Sequence, residues 1–356
     1  MKLNIIHITP DFKYACGRSY YVYLLLKYIS RKHNVTLLTD GGDSFDRLVE
    51  LNINYICVKN LHSKNPFSLA KNIRFIQSLI NSFQPQVLHT HHRCSEFLAV
   101  YANKLSRKKI FTVLTALSLV DRKYFVEYKS DRIIAVSSTV KDMLINRFNV
   151  NSNKITRIPN FVDTDEIKGV NLASTAQYAK PNKYTLLAIG RFHRDKNFEL
   201  ILKAMRALNS KGLRLLLVGE GELHKVYREY IDRYNLDVEI HKPSRYLCKY
   251  FLSADICILP SIKDPFPNFM LQSGLYKRPF IGSNVDGISE LIIDGYNGLL
   301  FKSNDHIELA EKIKLFLYDK ELATKCANNL YNEVRENYTQ ESVIPQIEGL
   351  YLGLLN

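Results

Sequence analysis

Asp264 and Gln272 stand eight residues apart in the segment PSIKDPFPNFMLQSG, which spans residues 260–274. Asp264 lies among turn-forming residues, whereas Gln272 lies in an apolar run with the pattern of a helix. The segment follows ICIL, a short apolar run that predicts a buried strand. The sequence therefore places one ionised and one neutral oxygen-bearing side chain near the end of a strand, where ligands of parallel sheets bind.

The start of this predicted helix also offers backbone N–H groups. Pro265 and Pro267 have no N–H group, so the donors come from the residues between and after them. Because residues i and i+4 share a helix face, Gln272 is expected to point in the same direction as Asn268. The N–H groups that are expected to face a ligand belong to Phe266, Asn268 and Phe269.

A second segment, AIGRFHRDKNFELILKAM, combines the end of a strand with two cations. Gly190 ends the predicted strand, and Arg191 and Lys196 flank a short loop before a helix. Arginine as a planar fork and lysine as a point charge both suit a diphosphate. Taken alone, the segment is more typical of a solvated basic turn, so its interpretation depends on the other segments.

Glycines also follow two other predicted strands. Gly17 lies between the strand NIIHIT and an apolar helix, where a glycine lets the backbone approach an anion. In LLLVGEGEL, Gly219 and Glu222 belong to a tight turn that fits beside a nucleoside. Both turns are also ordinary connections between a strand and a helix, and Gly17 alone does not match the three-glycine dinucleotide fingerprint.

Three histidines occur in QVLHTHHRC, at positions 89, 91 and 92. A metal ion needs three or four converging ligands, and no further Cys, His or carboxylate group has matching spacing. We therefore expect no metal site. Our hypothesis for His91 is a side chain at a strand end that faces a ligand cleft, on the acceptor or sugar side. The six cysteines are scattered, which predicts reduced thiols.

The chain of 356 residues is basic, with a net charge of +14. Residues 1–170 contain 25 Lys and Arg against 13 Asp and Glu, and residues 171–356 contain 24 against 22. The first half therefore suits an anionic membrane surface, an acidic substrate or nucleic acid, or is simply a basic surface. Because the sequence has no apolar run of ~18–20 residues and no secretory signal, we expect a cytoplasmic protein, peripheral at the inner face of the membrane.

Short β-rich runs alternate with helical patterns, which predicts parallel sheets covered on both faces. The first series is NIIHIT, NVTLLT, INYICV, QVLHTH, IFTVLT, RIIAVS and KITRIPN. The second series is YTLLAIG, RLLLVGEG, VEIH, ICILPS, PFIGSN and GLLF. A polar stretch at 163–183 predicts a linker between them.

We therefore expect an α/β protein with two doubly wound, Rossmann-like domains, at residues 1–165 and 183–335. A last helix at 336–356 is expected to pack back toward the first domain. Ligands of such sheets bind beyond the carboxyl ends of the strands, which here places them in a cleft between the domains.

Taken together, the segments resemble glycosyltransferase family 4, whose members are retaining, nucleotide-sugar-dependent enzymes of the GT-B fold. The resemblance covers essentially the whole chain and depends on the joint order of many short segments. These are Gly17 after the first strand, VLHTHH, RIIAVSSTVKDML, KITRIPNFVD, GRFHRDKN, LVGEGE, ADICILPS and DGISELIIDGYNGLLF.

The resemblance implies roles for the residues that match the family's motifs. The family usually carries two glutamates eight residues apart where this chain has Asp264 and Gln272. The first contacts hydroxyl groups of the donor sugar, and the second holds the ribose of the nucleotide. The arginine and lysine that bind the donor diphosphate match Arg191 and Lys196. The family needs no metal ion or other cofactor for this step.

The chain departs from the family pattern at several positions. Asp264 is one methylene shorter than the family's glutamate, and Gln272 is neutral. The family's frequent Thr-x-His after the fifth strand is Thr115-Ala116-Leu117, and its common Asn-Gly before Val-Asp is Asn160-Phe161.

The sequence thus predicts a glycosyltransferase that moves a sugar from a nucleoside diphosphate-sugar to a hydroxyl group of a glycan or lipid-linked acceptor. Arg191, Lys196 and Asp264 are the predicted catalytic residues, and synthesis of cell-surface polysaccharide or glycolipid is the expected setting. Two alternatives remain open. The departures are also compatible with a non-catalytic homologue that acts as a binding or scaffold subunit. The charge alone would suit a nucleic-acid-binding protein, but no recognition motif supports one.

Overall fold

A computed structural model describes residues 1–63, 65–108, 110–123, 127–168, 183–209 and 212–355. The chain divides into two compact units. The first unit comprises Met1–Asn160 together with Glu341–Asn356, and the second comprises Phe161–Gln340. The chain therefore leaves the first unit once and returns to it only at its end.

The first unit contains a parallel sheet that has seven strands within the described residues, in the order β3-β2-β1-β4-β5-β6-β7. Its central strands are almost fully buried because Ile, Val and Leu fill both of their faces, as expected for a sheet covered by helices on both sides. The strands are β1 Asn4–Thr9, β2 Asn34–Thr39, β3 Asn54–Cys57, β4 Val87–Thr90, β5 Phe111–Ala116, β6 Arg132–Ala135 and β7 Ile155–Arg157.

Helices connect these strands. The helices of the first unit are α1 Gly17–Ile29, α2 Asp46–Glu50, α3 Pro66–Phe83, α4 Arg93–Leu105 and α5 Ser138–Asp142. Helix α3 shows how the sequence sets the bounds. The Asn65 side chain accepts a hydrogen bond from the Phe67 N–H, proline occupies the first turn, and Gln84 ends the helix in a left-handed conformation.

The second unit has a parallel sheet with six strands in the described residues, in the order β10-β9-β8-β11-β12-β13. Its strands are β8 Tyr184–Ile189, β9 Leu213–Val218, β10 Val238–His241, β11 Ile256–Leu259, β12 Phe280–Ser283 and β13 Leu299–Phe301. Its helices are α6 Glu199–Leu208, α7 His224–Tyr234, α8 Cys248–Ser253, α9 Asn268–Leu275, α10 Asp286–Leu291, α11 His306–Tyr318 and α12 Lys320–Asn337.

Helix α13 spans Gln340–Gly353 and carries the chain back into the first unit. There the Tyr351 hydroxyl hydrogen-bonds His89 Nδ1 at 2.5 Å, and the Glu348 carboxylate pairs with Lys32 at 2.7 Å. The sequence placed the domain boundaries at 165 and 335, and the two units divide at 160/161 and 340/341. Residues 169–182 of the expected linker lie outside the described residues.

Each of the runs that predicted a strand contains one, and both sheets are parallel, so the predicted fold of two doubly wound domains is confirmed. In the second sheet the strand order reverses between β8 and β11, which lie side by side in parallel. The loops that follow these two strands therefore leave the same edge of the sheet in opposite directions, and such a switch point is where open α/β sheets bind ligands. Within the described residues, no helix is both long and apolar enough to cross a membrane.

Candidate functional site

Two of the predicted catalytic residues meet at the switch point of the second unit. Lys196 ends a short 3-10 turn in the loop after β8, and Asp264 lies in the loop after β11. The Lys196 ammonium donates a 2.5 Å hydrogen bond to Asp264 Oδ2. The carboxylate side chain is 4% exposed and the lysine side chain is 25% exposed. The loop after β8 and the loop after β11 thus form one charged site that is open to solvent on the side of the lysine.

Asp264 is fixed by three further hydrogen bonds. The Ser261 hydroxyl donates to Oδ2 at 3.1 Å, and the Asp264 N–H donates to the Asp286 carboxylate at 3.0 Å. The Asp264 carbonyl accepts from the Gly287 N–H at 3.0 Å. Both recorded side-chain contacts use Oδ2, and within the described residues no hydrogen bond to Oδ1 occurs. One oxygen of a rigidly held carboxylate therefore remains available to a ligand.

The glycine at position 287 makes this loop geometry attainable. A Cβ atom there would lie 2.0 Å from the carbonyl oxygen of Pro265, which no side chain tolerates. The loop after β11 therefore presses directly against the start of α10. Ser261, Asp286 and Gly287 were not predicted as parts of the site, although the segments ILPS and VDG contain them.

Arg191 differs from Lys196 in its surroundings. Its side chain is exposed, and no ion pair joins it to a carboxylate in the part of the chain that the structure describes. The loop that carries it is well ordered by packing, because Phe192 is buried against the rings of Phe198 and Tyr227. Arg191 is therefore a free cation on a firmly held loop.

The glycines around this loop allow close backbone approach. A Cβ atom at Gly219 would lie 2.0 Å from the carbonyl oxygen of Gly190, so the ends of β8 and β9 touch. Glu222 follows in the next turn and is exposed, with Oε1 3.9 Å from His193 Nε2. The predicted donor-side residues Gly190 and Gly219 thus come together, whereas Glu222 lies on the surface beside them.

Helix α9 begins next to Asp264 in the sequence. Pro267 occupies its N-cap position, and no side chain there accepts hydrogen bonds from the first turn. The ring of Phe266 packs on Tyr338, and the ring of Phe269 packs on Phe251, which holds this helix start in place. Asn268 is the first helical residue and is half-buried.

Gln272 lies one turn into α9 and its side chain is buried. Its side-chain amide makes no hydrogen bond to any described residue, which leaves the amide available to a ligand. Gly274, two residues after Gln272, packs against α12, since a Cβ atom at this position would lie 2.7 Å from the Val334 side chain. The position of Gln272 is therefore fixed by tight packing of its helix.

The two predicted residues of the first unit follow its central strands, Gly17 after β1 and His91 after β4. Gly17 is the first residue of α1 and is exposed. His91 directly follows β4, but its side chain is buried, and its Nε2 lies 3.1 Å from His7 Nδ1. His91 therefore points into the interior of the first unit, and a contact of His91 with a ligand stays a prediction. Its ring packs inward because His7 and Tyr21 offer it polar and aromatic partners.

His7, His89 and His91 form a buried histidine cluster, with ring nitrogens within 4.8 Å of one another. The spacing of residues 89–92 does not reveal this set, because His7 belongs to a strand that is distant along the chain. Burial lowers the pKa of His7 to about 3 and keeps the pKa values of His89 and His91 well below the ordinary value. The neutral rings suit metal ligation in principle. However, both nitrogens of His89 are engaged, with the Tyr351 and Thr115 hydroxyls, so the recorded contacts are those of a hydrogen-bonded network.

Two family models match the chain. Residues 17–166 match the model described as Glycosyltransferase Family 4, and residues 173–333 match the model described as Glycosyl transferases group 1. Two Rossmann-like units with a charged site at the switch point of the second define an α/β protein of the GT-B class. The chain belongs to glycosyltransferase family 4, as its sequence motifs predict.

Relatives and solved structures agree with this assignment. An uncharacterized glycosyltransferase of Methanocaldococcus jannaschii is 24% identical over 300 residues, which is 81% of this chain and 79% of the relative. The capsular polysaccharide biosynthesis glycosyltransferase CapM of Staphylococcus aureus is 22% identical over 64% of this chain and 65% of the relative. Anabaena HepE, crystallised with UDP and glucose, superposes with a TM-score of 0.85 at 15% identity, over 99% of this chain and 100% of HepE.

Proposed function

We propose that the protein is a retaining glycosyltransferase that moves a sugar from a nucleoside diphosphate-sugar to a hydroxyl group of a glycan or lipid-linked acceptor. The Lys196–Asp264 pair at the switch point of the second sheet is the observation that carries the proposal. It combines a cation for the leaving diphosphate with a carboxylate oxygen for the transferred sugar. Membership of the family and the likeness to HepE, which was crystallised with UDP and glucose, support it.

Arg191 and Lys196 act on the diphosphate. Negative charge develops on the leaving group as the bond to the sugar breaks, and fixed cations at that point lower the barrier. Lys196 already shares its charge with Asp264 Oδ2, whereas Arg191 is free to form a planar fork with phosphate oxygens. The close approach of Gly190 and Gly219 fixes the backbone that carries these cations.

Asp264 acts on the sugar. Oδ2 is occupied by Lys196 and Ser261, which fixes the carboxylate plane, and Oδ1 accepts hydrogen bonds from sugar hydroxyl groups. An interaction that strengthens as the sugar moves toward the transition state raises turnover more than ground-state affinity. Asp264 is therefore proposed to orient the sugar during transfer.

The nucleoside is held by side chains that follow β9 and β11. Gln272 exchanges hydrogen bonds with the ribose hydroxyls, and Glu222 lies beside the nucleoside. Phosphate and sugar oxygens accept from the backbone N–H groups of Phe266, Asn268 and Phe269 at the start of α9. The reaction proposed here uses no metal ion, because the chain's own cations neutralise the leaving group.

The proposed setting is the synthesis of cell-surface polysaccharide or glycolipid. The capsular polysaccharide enzyme CapM is among the relatives, which supports a glycan acceptor. The basic first half of the chain supports an acceptor that is anionic or close to an anionic membrane.

A thermal-shift panel of nucleoside diphosphates and their sugars identifies the donor, since a ligand at 100 times its Kd stabilises by about 2.7 kcal/mol. With that donor, Asp264→Asn is expected to reduce transfer by orders of magnitude without weakening nucleoside diphosphate binding. Asp232→Asn, at an exposed position of α7, is the matched control and should transfer normally. If wild type transfers sugar from no donor of the panel, and Asp264→Asn and Gln272→Ala bind nucleotide like wild type, the non-catalytic alternative is correct.

A further inference from the structure

One stretch of the first unit has a strongly one-sided charge. Residues 51–120 contain nine Lys and Arg and a single acidic residue, Glu96. Glu96 is buried and accepts hydrogen bonds from the Tyr128 N–H and from the N–H and hydroxyl of Ser130. Its negative charge is therefore used inside the fold and does not offset the cations of the surrounding surface.

Helix α3 presents part of this charge as a stripe. Phe67, Lys71 and Arg74 stand at positions i, i+4 and i+7, which share one face of a helix. Phe67 is 88% exposed, and Lys71 and Arg74 are exposed and paired with no carboxylate of the described residues. An aromatic ring of this size that projects into water beside two unpaired cations calls for a partner.

The end of α4 continues the stripe. The Gln77 side chain, one turn after Arg74, donates a 2.5 Å hydrogen bond to the Leu105 carbonyl, so α3 and the end of α4 are joined. Leu105 is exposed, and Lys104, Arg107 and Lys108 around it are exposed cations. We define the α3–α4 face as Phe67, Lys71, Arg74, Lys104, Leu105, Arg107 and Lys108.

We propose that the α3–α4 face docks the first unit on an anionic lipid bilayer. Cations next to such a surface each strengthen binding about fivefold, and an exposed aromatic ring enters the interface between headgroups and acyl chains. A single-stranded nucleic acid would require several aromatic rings for base stacking along a groove, whereas the exposed apolar side chains of this face are one Phe and one Leu. The expected purpose, presentation of a membrane-borne acceptor, rests on the proposed function, but the docking itself does not.

The chain contains no tryptophan, which permits an unambiguous test. Phe67→Trp places the only tryptophan on the α3–α4 face, where it can be excited selectively over the tyrosines. Tyr318→Trp places it on α11 of the second unit, at a tyrosine that is 85% exposed. Vesicles of phosphatidylcholine with about 30% phosphatidylglycerol should shift the emission of the Phe67→Trp protein to the blue. The Tyr318→Trp protein should show no shift. A shift only at Tyr318→Trp, or at neither position, would overturn the proposal.

Co-sedimentation with vesicles measures the electrostatic contribution to membrane binding. Wild type should sediment with the anionic vesicles at about 50 mM salt and be released at about 500 mM salt, with no sedimentation on phosphatidylcholine alone. Lys71→Glu/Arg74→Glu should weaken the partition constant tenfold or more. The control variant Lys314→Glu/Lys325→Glu makes the same charge change at two exposed lysines of the second unit. Its partition constant should fall several-fold less than that of Lys71→Glu/Arg74→Glu. Equal losses in the two variants, or equal binding to neutral vesicles, would contradict a specific face.

Two further readouts separate this inference from others. Both charge variants should keep wild-type thermal shifts with nucleoside diphosphate, so that failure of docking is distinguishable from failure of the donor site. Single-stranded RNA is the competing polyanion. If RNA binds with the same salt dependence and displaces the vesicles without any blue shift in the Phe67→Trp protein, the face is a nucleic-acid surface and the bilayer proposal is wrong.

Discussion

Lys196 and Arg191 are both cations after β8, but their environments give them different physical roles. Lys196 balances a carboxylate that is almost fully buried, whereas Arg191 is exposed and free of ion pairs within the described residues. The sequence pattern does not reveal this difference in burial. Removal of one partner of a buried pair leaves an uncompensated charge, whereas removal of a solvated cation leaves nothing behind.

Alanine substitutions should therefore separate the two cations. Arg191→Ala and Lys196→Ala are both expected to abolish transfer, because each removes a charge-assisted contact to the diphosphate. Only Lys196→Ala is expected to lower the free energy of unfolding, by about 1–3 kcal/mol, as measured by urea denaturation. Lys203→Ala, which breaks an exposed pair with Glu199, is the control and should change stability by at most about 0.5 kcal/mol. Equal stability of the Arg191 and Lys196 variants would contradict the assigned role of the pair.

Gln272 is buried, and no described residue hydrogen-bonds its amide. Gln272→Met keeps the size of the side chain and removes its hydrogen-bonding atoms. We expect little change in the stability of the ligand-free protein and a loss of about 1 kcal/mol in nucleoside diphosphate binding. Titration calorimetry measures the second effect directly. An unchanged Kd would show that the amide does not contact the nucleotide.

At the scale of secondary-structure elements, the histidine cluster links β1, β4 and the last helix. His7 pairs with His89 in the register of the sheet, and His91 lies two residues further along the chain. Through the Tyr351 hydroxyl the cluster also binds α13. Because all three side chains are buried, the first unit folds around neutral imidazoles.

This arrangement predicts that the first unit loses stability in acid. Burial lowers the pKa of His7 to about 3 and that of His62 to about 4, and His89 and His91 are also lowered. The unfolded chain binds protons below about pH 6.5 and the folded chain does not, so the stabilisation is complete above that pH and decreases below it. Between about pH 6.5 and its lowered pKa, each of these histidines reduces the free energy of unfolding by about 1.4 kcal/mol for every pH unit of acidification. Calorimetric scans from pH 7.5 to 5 should show a falling Tm for the first unit.

The control for this pH dependence is a variant that lacks one of the buried imidazoles. His7→Phe is expected to lower stability at neutral pH, and its Tm should fall less steeply between pH 6.5 and 5 than that of wild type. If the slopes are identical, protonation of this histidine does not contribute. The pH dependence would then arise from carboxylates instead.

At the scale of the whole molecule, the proposed nucleotide contacts of the second unit lie in the loops after β8, β9 and β11. Hydrogen exchange with a nucleoside diphosphate should therefore show protection at residues 190–196 and 264–272. The role that the sequence predicts for Gly17 is tested separately. An unchanged exchange rate at residues 17–20 would contradict that role and leave the other assignments unchanged.

Much of this fold was predictable from local patterns. Short β-rich runs marked each strand, and Lys196 and Asp264 lie in loops that follow parallel strands, as the sequence predicted. The contacts between distant segments were not predictable in this way. His7 was overlooked because sequence spacing carries no information about which strands are neighbours, and the same applies to Asp286 and Asp264. The inward orientation of His91 depends on partners from β1 and α1 that no local pattern reveals.

The return of the chain to the first unit has a consequence for fragments of the protein. A fragment of residues 161–340 is contiguous and spans the whole second unit. A fragment of residues 1–160 lacks α13 and, with it, the Tyr351 hydroxyl that hydrogen-bonds His89. Expressed separately, the fragment 161–340 should fold cooperatively. The fragment 1–160 should be less stable than the same unit in the intact chain.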